Sequence, residues 1–389
     1  MTRSNAFAVT PKNLSAVGHT CALEINASAL IDNYQLLRSK VGKNCEVAAV
    51  VKANAYGLGL EFVAPILESA GCEFFYVANL NEGIKLRSIS DKKIAVMAGC
   101  WRGEEDEFIR HHLIPVLISV EQVENWPTQH PCIWHIDTGM NRLGIETDQI
   151  AKLIHLPHFC AGKAANLPLY MMTHFTSSEV LDESSAAQVA KFDQSLKNAG
   201  IGRDRGVTIP QSLCNSSAIF RDEEWHRQQV RAGMALYGLN PTPYLPQNPM
   251  RDVVRLSARI LQVRHAKKGE TVGYNQTYTI PQDTILAVIG YGYADGFHRA
   301  GSNKSNVYWH GVPCPVRGLV SMDLSIVDIG HLHAQHSSIH SLIPLPKAGD
   351  EMDILPDSAA IEQLARDWNT NVYEILTSIS PRARRAVME

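Results

Sequence analysis

The chain has 389 residues, which at about 150 residues per domain points to two or three domains. Hydrophobic residues make up 45% and charged residues 19%, enough to bury sizeable cores and too apolar for a largely disordered chain. Lys+Arg 36 against Asp+Glu 39 gives a net charge of -3, which excludes a basic nucleic-acid footprint and a polybasic lipid surface. No apolar run approaches the ~20 residues of a membrane-spanning helix. The polar start Met1–Asn5, with no long apolar stretch behind it, argues against a secretory signal. The 8 cysteines are scattered without a C-x-x-C pair, and the 16 histidines lack zinc spacing. The expectation is a cytoplasmic protein with reduced thiols and no metal site.

After an N-terminal extension, residues 1–21, Asn26 can cap a helix in which Ala27, Leu30, Ile31, Tyr34, Leu37 and Val41 recur at helical spacing. Glu46–Val51 follows as a near-continuous apolar run, the pattern of a strand buried on both faces. Similar runs occur at Phe74–Asn79, Lys93–Ala98, Pro115–Ser119, Cys132–Asp137, Met171–Phe175, Ser212–Asn215 and about Ala232–Tyr237. Helix-like stretches such as Glu61–Ala70 and Glu104–His112 separate most of them. About eight strand–helix units over roughly 200 residues predict a closed (β/α)8 TIM-like barrel over 22–245, with an open doubly wound sheet as the alternative.

The pattern then changes. Pro241, Pro243, Pro246 and Pro249 crowd nine positions and mark a linker. Beyond it, Val254, Leu256, Ala258 and Ile260 alternate with polar residues as in a half-buried strand. Glycine-rich turns, and strands near Val307–Trp309 and Ser325–Ile329, predict a mostly β C-terminal domain over 246–389. A helix capped by Asp357 or Ser358 is expected to close the chain.

Active sites of such barrels sit at the C-terminal ends of the strands. Lys52 follows directly on the first long apolar strand, ahead of small residues and two glycines. Partial burial there lowers an amine's pKa from about 10.4 toward the nucleophilic range, making Lys52 a candidate Schiff-base former. The lone segment Gly290–Gly296 does not read as a nicotinamide site, because Asp295 stands where G-x-G-x-x-G needs its third glycine.

Eight motifs carry a more specific signal: Ala49-Val-Val-Lys-Ala-Asn-Ala-Tyr-Gly57, His135-Ile-Asp-Thr-Gly-Met-Asn-Arg-Leu-Gly144, Thr173-His-Phe175, Asn215-Ser216, Arg231-Ala-Gly-Met-Ala-Leu-Tyr-Gly238, Val272-Gly-Tyr274, Gly292-Tyr-Ala-Asp-Gly296 and Ser321-Met-Asp323. In this order they resemble the alanine racemases, pyridoxal 5'-phosphate enzymes with an N-terminal barrel and a β-rich C-terminal domain. The resemblance covers the chain after its first twenty residues. It implies an isomerase that interconverts L- and D-alanine by a two-base mechanism and supplies D-alanine for peptidoglycan.

Residue by residue, the resemblance makes Lys52 the lysine joined to the cofactor as an aldimine and one of the two catalytic bases. Tyr56, Ser216, the Gly233 and Met234 N–H groups and Tyr373 match positions that hold the phosphate, where uncharged donors suit an anion. Arg231 matches the residue facing the pyridine nitrogen, supported by His174. A guanidinium can only donate there, so the ring stays unprotonated and is a weaker electron sink. Tyr274 matches the second base, since racemisation needs one base on each face of a planar carbanion. Arg142 and Met322 match substrate-binding positions, and Tyr293 and Asp323 line the entrance. Tyr274 and Met322 come from the partner subunit in the family, which implies a homodimer with shared active sites.

Three positions depart from the family pattern. His135 stands where many members carry a carbamylated lysine that positions the arginine matched by Arg142. Leu58 replaces a common histidine, and Leu319 an arginine that often supports the second base. A racemase of another amino acid such as serine, or a related barrel decarboxylase, is the neighbouring reading; Arg231 stands against the decarboxylase, which uses a carboxylate at that position.

Overall fold

The structure is a computed structural model that describes residues 18–127, 129–154, 167–202, 207–336 and 343–389. Most of the N-terminal extension, 1–17, and Cys160 therefore lie outside the described residues. The described residues form two compact units: one within Glu24–Arg255, Leu355–Ile379 and Arg385–Glu389, the other within 18–23, Leu256–Ile354 and Ser380–Arg384.

Strand β1 (Cys21–Asn26) leads into the helix Ala27–Lys40, whose first turn is capped as its sequence predicts: Asn26 Oδ1 accepts from Ala29 N at 2.9 Å. The barrel follows. Its strands are β2 (Glu46–Val50), β3 (Phe74–Val77), β4 (Lys93–Val96), β5 (Leu113–Leu117) and β6 (Ile133–Asp137). After the short β7 (Ile145–Glu146), which pairs beside β6, come β8 (Tyr170–Met172), β9 (Gln211–Ser212) and β10 (Gln229–Ala232). Every neighbouring pair is parallel, β5 pairs β6, and β10 returns to β2 in the register Arg231↔Ala48, which closes the ring of eight. The open-sheet alternative is thereby excluded.

Packing explains the apolar runs. Val47, Ala48, Ala49 and Val50 are all buried, as are Phe74–Val77 and Leu113–Leu117, because one face fills the barrel and the other meets the helices. One expectation fails: the eighth strand does not cover Ala232–Tyr237. It ends at Ala232, and Met234–Tyr237 turn as a 3-10 helix with Ala235, Leu236 and Tyr237 buried. An apolar run has the same composition whether it is a buried strand or a buried helical turn.

Strand β11 (Val254–Ala266), all but its first two residues in the second unit, buries Val254, Leu256, Ala258 and Ile260 as expected, and Ser257 with them. The hairpin β12 (Thr271–Val272) and β13 (Tyr278–Thr279) follows, then β14 (Thr284–Ile289), β15 (Asn306–Trp309), β16 (Val312–Pro315), β17 (Ser325–Asp328) and β18 (Glu351–Leu355). β14 lies antiparallel between β11 and β17, and β15 pairs antiparallel with β16 and β18. The predicted helix, Ser358–Trp368, belongs to the first unit, with Asp357 Oδ1 accepting from Ala360 N at 2.9 Å. It does not close the chain: a second helix, Val372–Thr377, and a strand, Arg384–Met388, come after it. No helix among the described residues is long and apolar enough to cross a membrane.

Candidate active site

At the ends of the barrel strands a cavity of about 400 Å³ is lined by Lys52, Tyr56, Arg142, His174, Ser216, Arg231, Gly233, Met234 and Tyr373, along with His135. Its size falls in the ~300–1,000 Å³ range of small-molecule and cofactor sites. A wider hollow of about 750 Å³ in the second unit is lined by Lys267, Asp283 and Arg317 among others. There Lys267 and Asp283 already pair at 2.9 Å, and no buried amine is present. The barrel cavity is the site with chemistry built into it.

Lys52 begins a turn that composition does not announce. Ala53, Asn54, Ala55 and Tyr56 have φ of 53°, 54°, 55° and 54°, a left-handed helical turn made without glycine. Such residues cost roughly 1–2 kcal/mol each, so the surroundings must hold them. Glu82 does so with both carboxylate oxygens: Oε1 accepts from Ala53 N at 2.8 Å and Oε2 from Ala78 N at 2.7 Å. Asn54 Oδ1 accepts from Leu60 N at 3.1 Å and from Lys85 Nζ at 3.0 Å. The Gly57 carbonyl takes two bonds from Arg385, from Nη2 at 2.7 Å and Nε at 3.0 Å. Burial, with Arg142 adding a like charge, lowers the pKa of Lys52 from the usual amine range, while Glu82 opposes the shift.

Arg231 is 2% exposed and its fork is fully engaged. Nη1 donates to Ser212 O at 2.6 Å and Ser212 Oγ at 2.8 Å; Nη2 donates to Thr173 O at 2.6 Å and Leu213 O at 3.2 Å. These four bonds use the four terminal N–H groups and leave Nε–H as the one donor with no partner among the described residues. The expected support for Arg231 comes from the backbone carbonyl before His174 and not from the His174 ring.

A cradle of uncharged donors surrounds Gly233. Ser216 Oγ accepts from Gly233 N at 2.9 Å and Ala235 N at 3.3 Å, so its own O–H remains to donate. The Gly233 amide is thus committed to Ser216 rather than left for a ligand. A Cβ on residue 233 would lie 2.6 Å from Tyr56 Oη, so glycine keeps the space open. Tyr373 approaches Tyr56 with ring centroids 6.1 Å apart and donates to Met234 Sδ at 2.9 Å. Burial raises the pKa of both phenols, which keeps them neutral donors. Two phenols and a hydroxyl around an open glycine fit a phosphate monoester, and a lone guanidinium N–H fits an unprotonated ring nitrogen. Pyridoxal phosphate therefore fits these residues.

His135 is buried with its pKa pushed down to about 4, first by desolvation and then by Arg231. His174 is lowered well below the usual range by burial and the Arg231 and Arg142 charges. Both rings are neutral near pH 7. Between pH 6.5 and about 4 the unfolded chain binds protons that native His135 refuses, so stability falls as pH falls through that window. Urea unfolding is expected to lose about 1 kcal/mol per pH unit for His135 alone, and His135→Asn to flatten that slope. A slope unchanged in the variant would contradict the shift.

Tyr274, Tyr293, Met322 and Asp323 belong to the second unit, and none lines the barrel cavity. Tyr274 is 64% and Met322 54% exposed. The structure does join the two later motifs: Tyr293 N donates to Ser321 O at 3.0 Å and Ala294 N to Met322 O at 2.9 Å. Arg382 Nη2 binds Asp323 Oδ1 at 2.9 Å, and its Nε lies 3.3 Å from the buried Asp295. Sequence reading missed Glu82, although Asn79-x-x-Glu82 is a helix-start signal and Asn79 Oδ1 does accept from Glu82 N at 3.0 Å. One oxygen reaches back to Ala78 N at the start of its own helix, as a cap would, but the other reaches Ala53 N on the neighbouring strand end, which no local pattern shows.

Comparison with known proteins agrees with this architecture. Residues 25–241 match the family model for the alanine racemase N-terminal domain and 253–387 that for the C-terminal domain. The chain is 39% identical over 373 residues to an alanine racemase of Acidiphilium cryptum, covering 94% of this chain and 98% of that one. It is 36% identical to one of Rhodospirillum rubrum over 94% of this chain and 95% of that one. Among solved structures, the alanine racemase from Bartonella henselae, with covalently bound pyridoxal phosphate, superposes with a TM-score of 0.84 at 33% identity, covering 95% of this chain and 99% of that one. With both halves matched and relatives of this identity aligned nearly end to end, the chain belongs to the alanine racemase family.

Proposed function

We propose that the protein interconverts L- and D-alanine with pyridoxal phosphate held on Lys52, and that it supplies D-alanine for peptidoglycan in the cytoplasm. The observation that carries the reading is the half-buried Lys52 amine, lowered in pKa, opening onto a cavity of neutral hydroxyls with one uncommitted Arg231 N–H. The cofactor, when bound, supplies the electron sink that loosens the α-proton. Tyr56, Ser216 and Tyr373 would hold its phosphate, and the Arg231 Nε–H its ring nitrogen without protonating it, which keeps the electron sink weak and limits stray transamination. Lys52 moves the proton at one face. Tyr274 moves it at the other, with Met322, from a second copy of the chain; their exposure supports a homodimer. Arg142 binds the substrate carboxylate, and Tyr293 and Asp323 border the entrance.

Incubating the protein with each L-amino acid and resolving the products by chiral chromatography tests the reading. D-Alanine is the expected product; D-serine alone would move the assignment to another racemase, and amine with carbon dioxide to a decarboxylase. Tyr274→Phe is expected to slow α-proton exchange in deuterium oxide for one enantiomer by about 100-fold or more, the usual worth of a positioned base, while cofactor loading stays normal. Equal slowing of both the exchange and the loading would remove Tyr274 from its role.

A further inference from the structure

We infer that Glu82 is a positioning residue that locks the Lys52 turn against the neighbouring barrel strand. Ala53 is the residue next to Lys52, and Ala78 directly follows β3, so one carboxylate ties together the ends of two adjacent strands. Both bonds are to an ionised acceptor, stronger than neutral ones, and both go to backbone N–H groups whose direction is fixed. The turn is left-handed and free of glycine through Tyr56, so without this anchor Ala53 has an incentive to relax to ordinary backbone. Relaxation would swing the amine and the Tyr56 phenol together, because both are carried by that one turn. Two charged groups act on the Lys52 amine, Arg142 against its ammonium form and Glu82, from the helix Leu80–Arg87, in favour of it; His135 and His174 face the same cavity as neutral rings, and Glu179 also lines it.

This rests on Lys52 bearing the cofactor. The test uses apo-protein recombined with pyridoxal phosphate over a range of pH, followed by absorbance, with borohydride reduction and peptide mass to locate the pyridoxyl group. Wild type is expected to carry it on Lys52. Glu82→Gln keeps one acceptor oxygen and loses the charge and the second acceptor. It is expected to raise the dissociation constant about tenfold, the equivalent of one charge-assisted bond. It should also move the pH midpoint of recombination downward, since the anion favouring the ammonium is gone. Glu82→Asp restores the charge without the reach, and is expected to recover the midpoint but not the affinity. A Glu82→Gln protein with unchanged affinity and midpoint overturns the inference, as does a variant that only melts earlier while recombining normally. Should Glu82→Gln not fold, a Glu82→Asp protein with wild-type affinity overturns it equally. Wild type with no pyridoxyl group at Lys52 overturns the proposed function as well, which separates the two failures.

Discussion

Lys52→Ala is expected to abolish racemisation, by about a thousandfold or more, while leaving the fold intact. The reasoning comes from the cost of the amine where it sits. Burial and the Arg142 charge disfavour its ammonium form, so the side chain is paid for by the structure, not a support of it. Its removal is expected to change unfolding free energy by less than about 1 kcal/mol, in either direction. The measurement pairs D-alanine formation with urea unfolding of the same sample. A variant that keeps activity refutes the role of the amine; a variant that unfolds would show that Lys52 is structural.

Arg231→Met should behave in the opposite way, with damage to stability first. The guanidinium bonds Ser212, Thr173 and Leu213, and thereby ties β10 to the ends of β8 and β9. Methionine is apolar and donates nothing, so three buried carbonyls and a hydroxyl would lose donors at once. Breaking a buried charged network of this kind costs about 3–5 kcal/mol. Urea unfolding is expected to shift by that amount, and Arg231→Lys to recover part of it, since an ammonium carries the charge but cannot reproduce the fork. A Met variant as stable as wild type would mean that the network is solvated or dispensable.

The fold was legible where burial is two-sided. Val47–Val50 and Phe74–Val77 can be apolar throughout because both faces are covered, and that composition marks a parallel strand. The caps at Asn26 and Asp357 were legible because capping is a short-range event. The same logic fails at Met234–Tyr237, where burial is equally complete but the backbone turns. The cavity-lining residues were named from motif matches, and the barrel brings nine of them to one place. What held the lysine was invisible: the left-handed turn uses alanines, asparagine and tyrosine, and its supports lie 29 and 328 residues away, at Glu82 and Arg385. Tertiary geometry alone makes such a conformation tolerable.

The grip of Arg385 on the Gly57 carbonyl sets an order of events during synthesis. Every strand of the ring leaves the ribosome long before residue 385 does, so the nascent barrel must wait, with its reactive corner unfastened, until Arg385 has been made. A chain that stops short of Arg385 should have a finished ring and an unfastened turn after Lys52, and proteases that sample loose loops would find it there first.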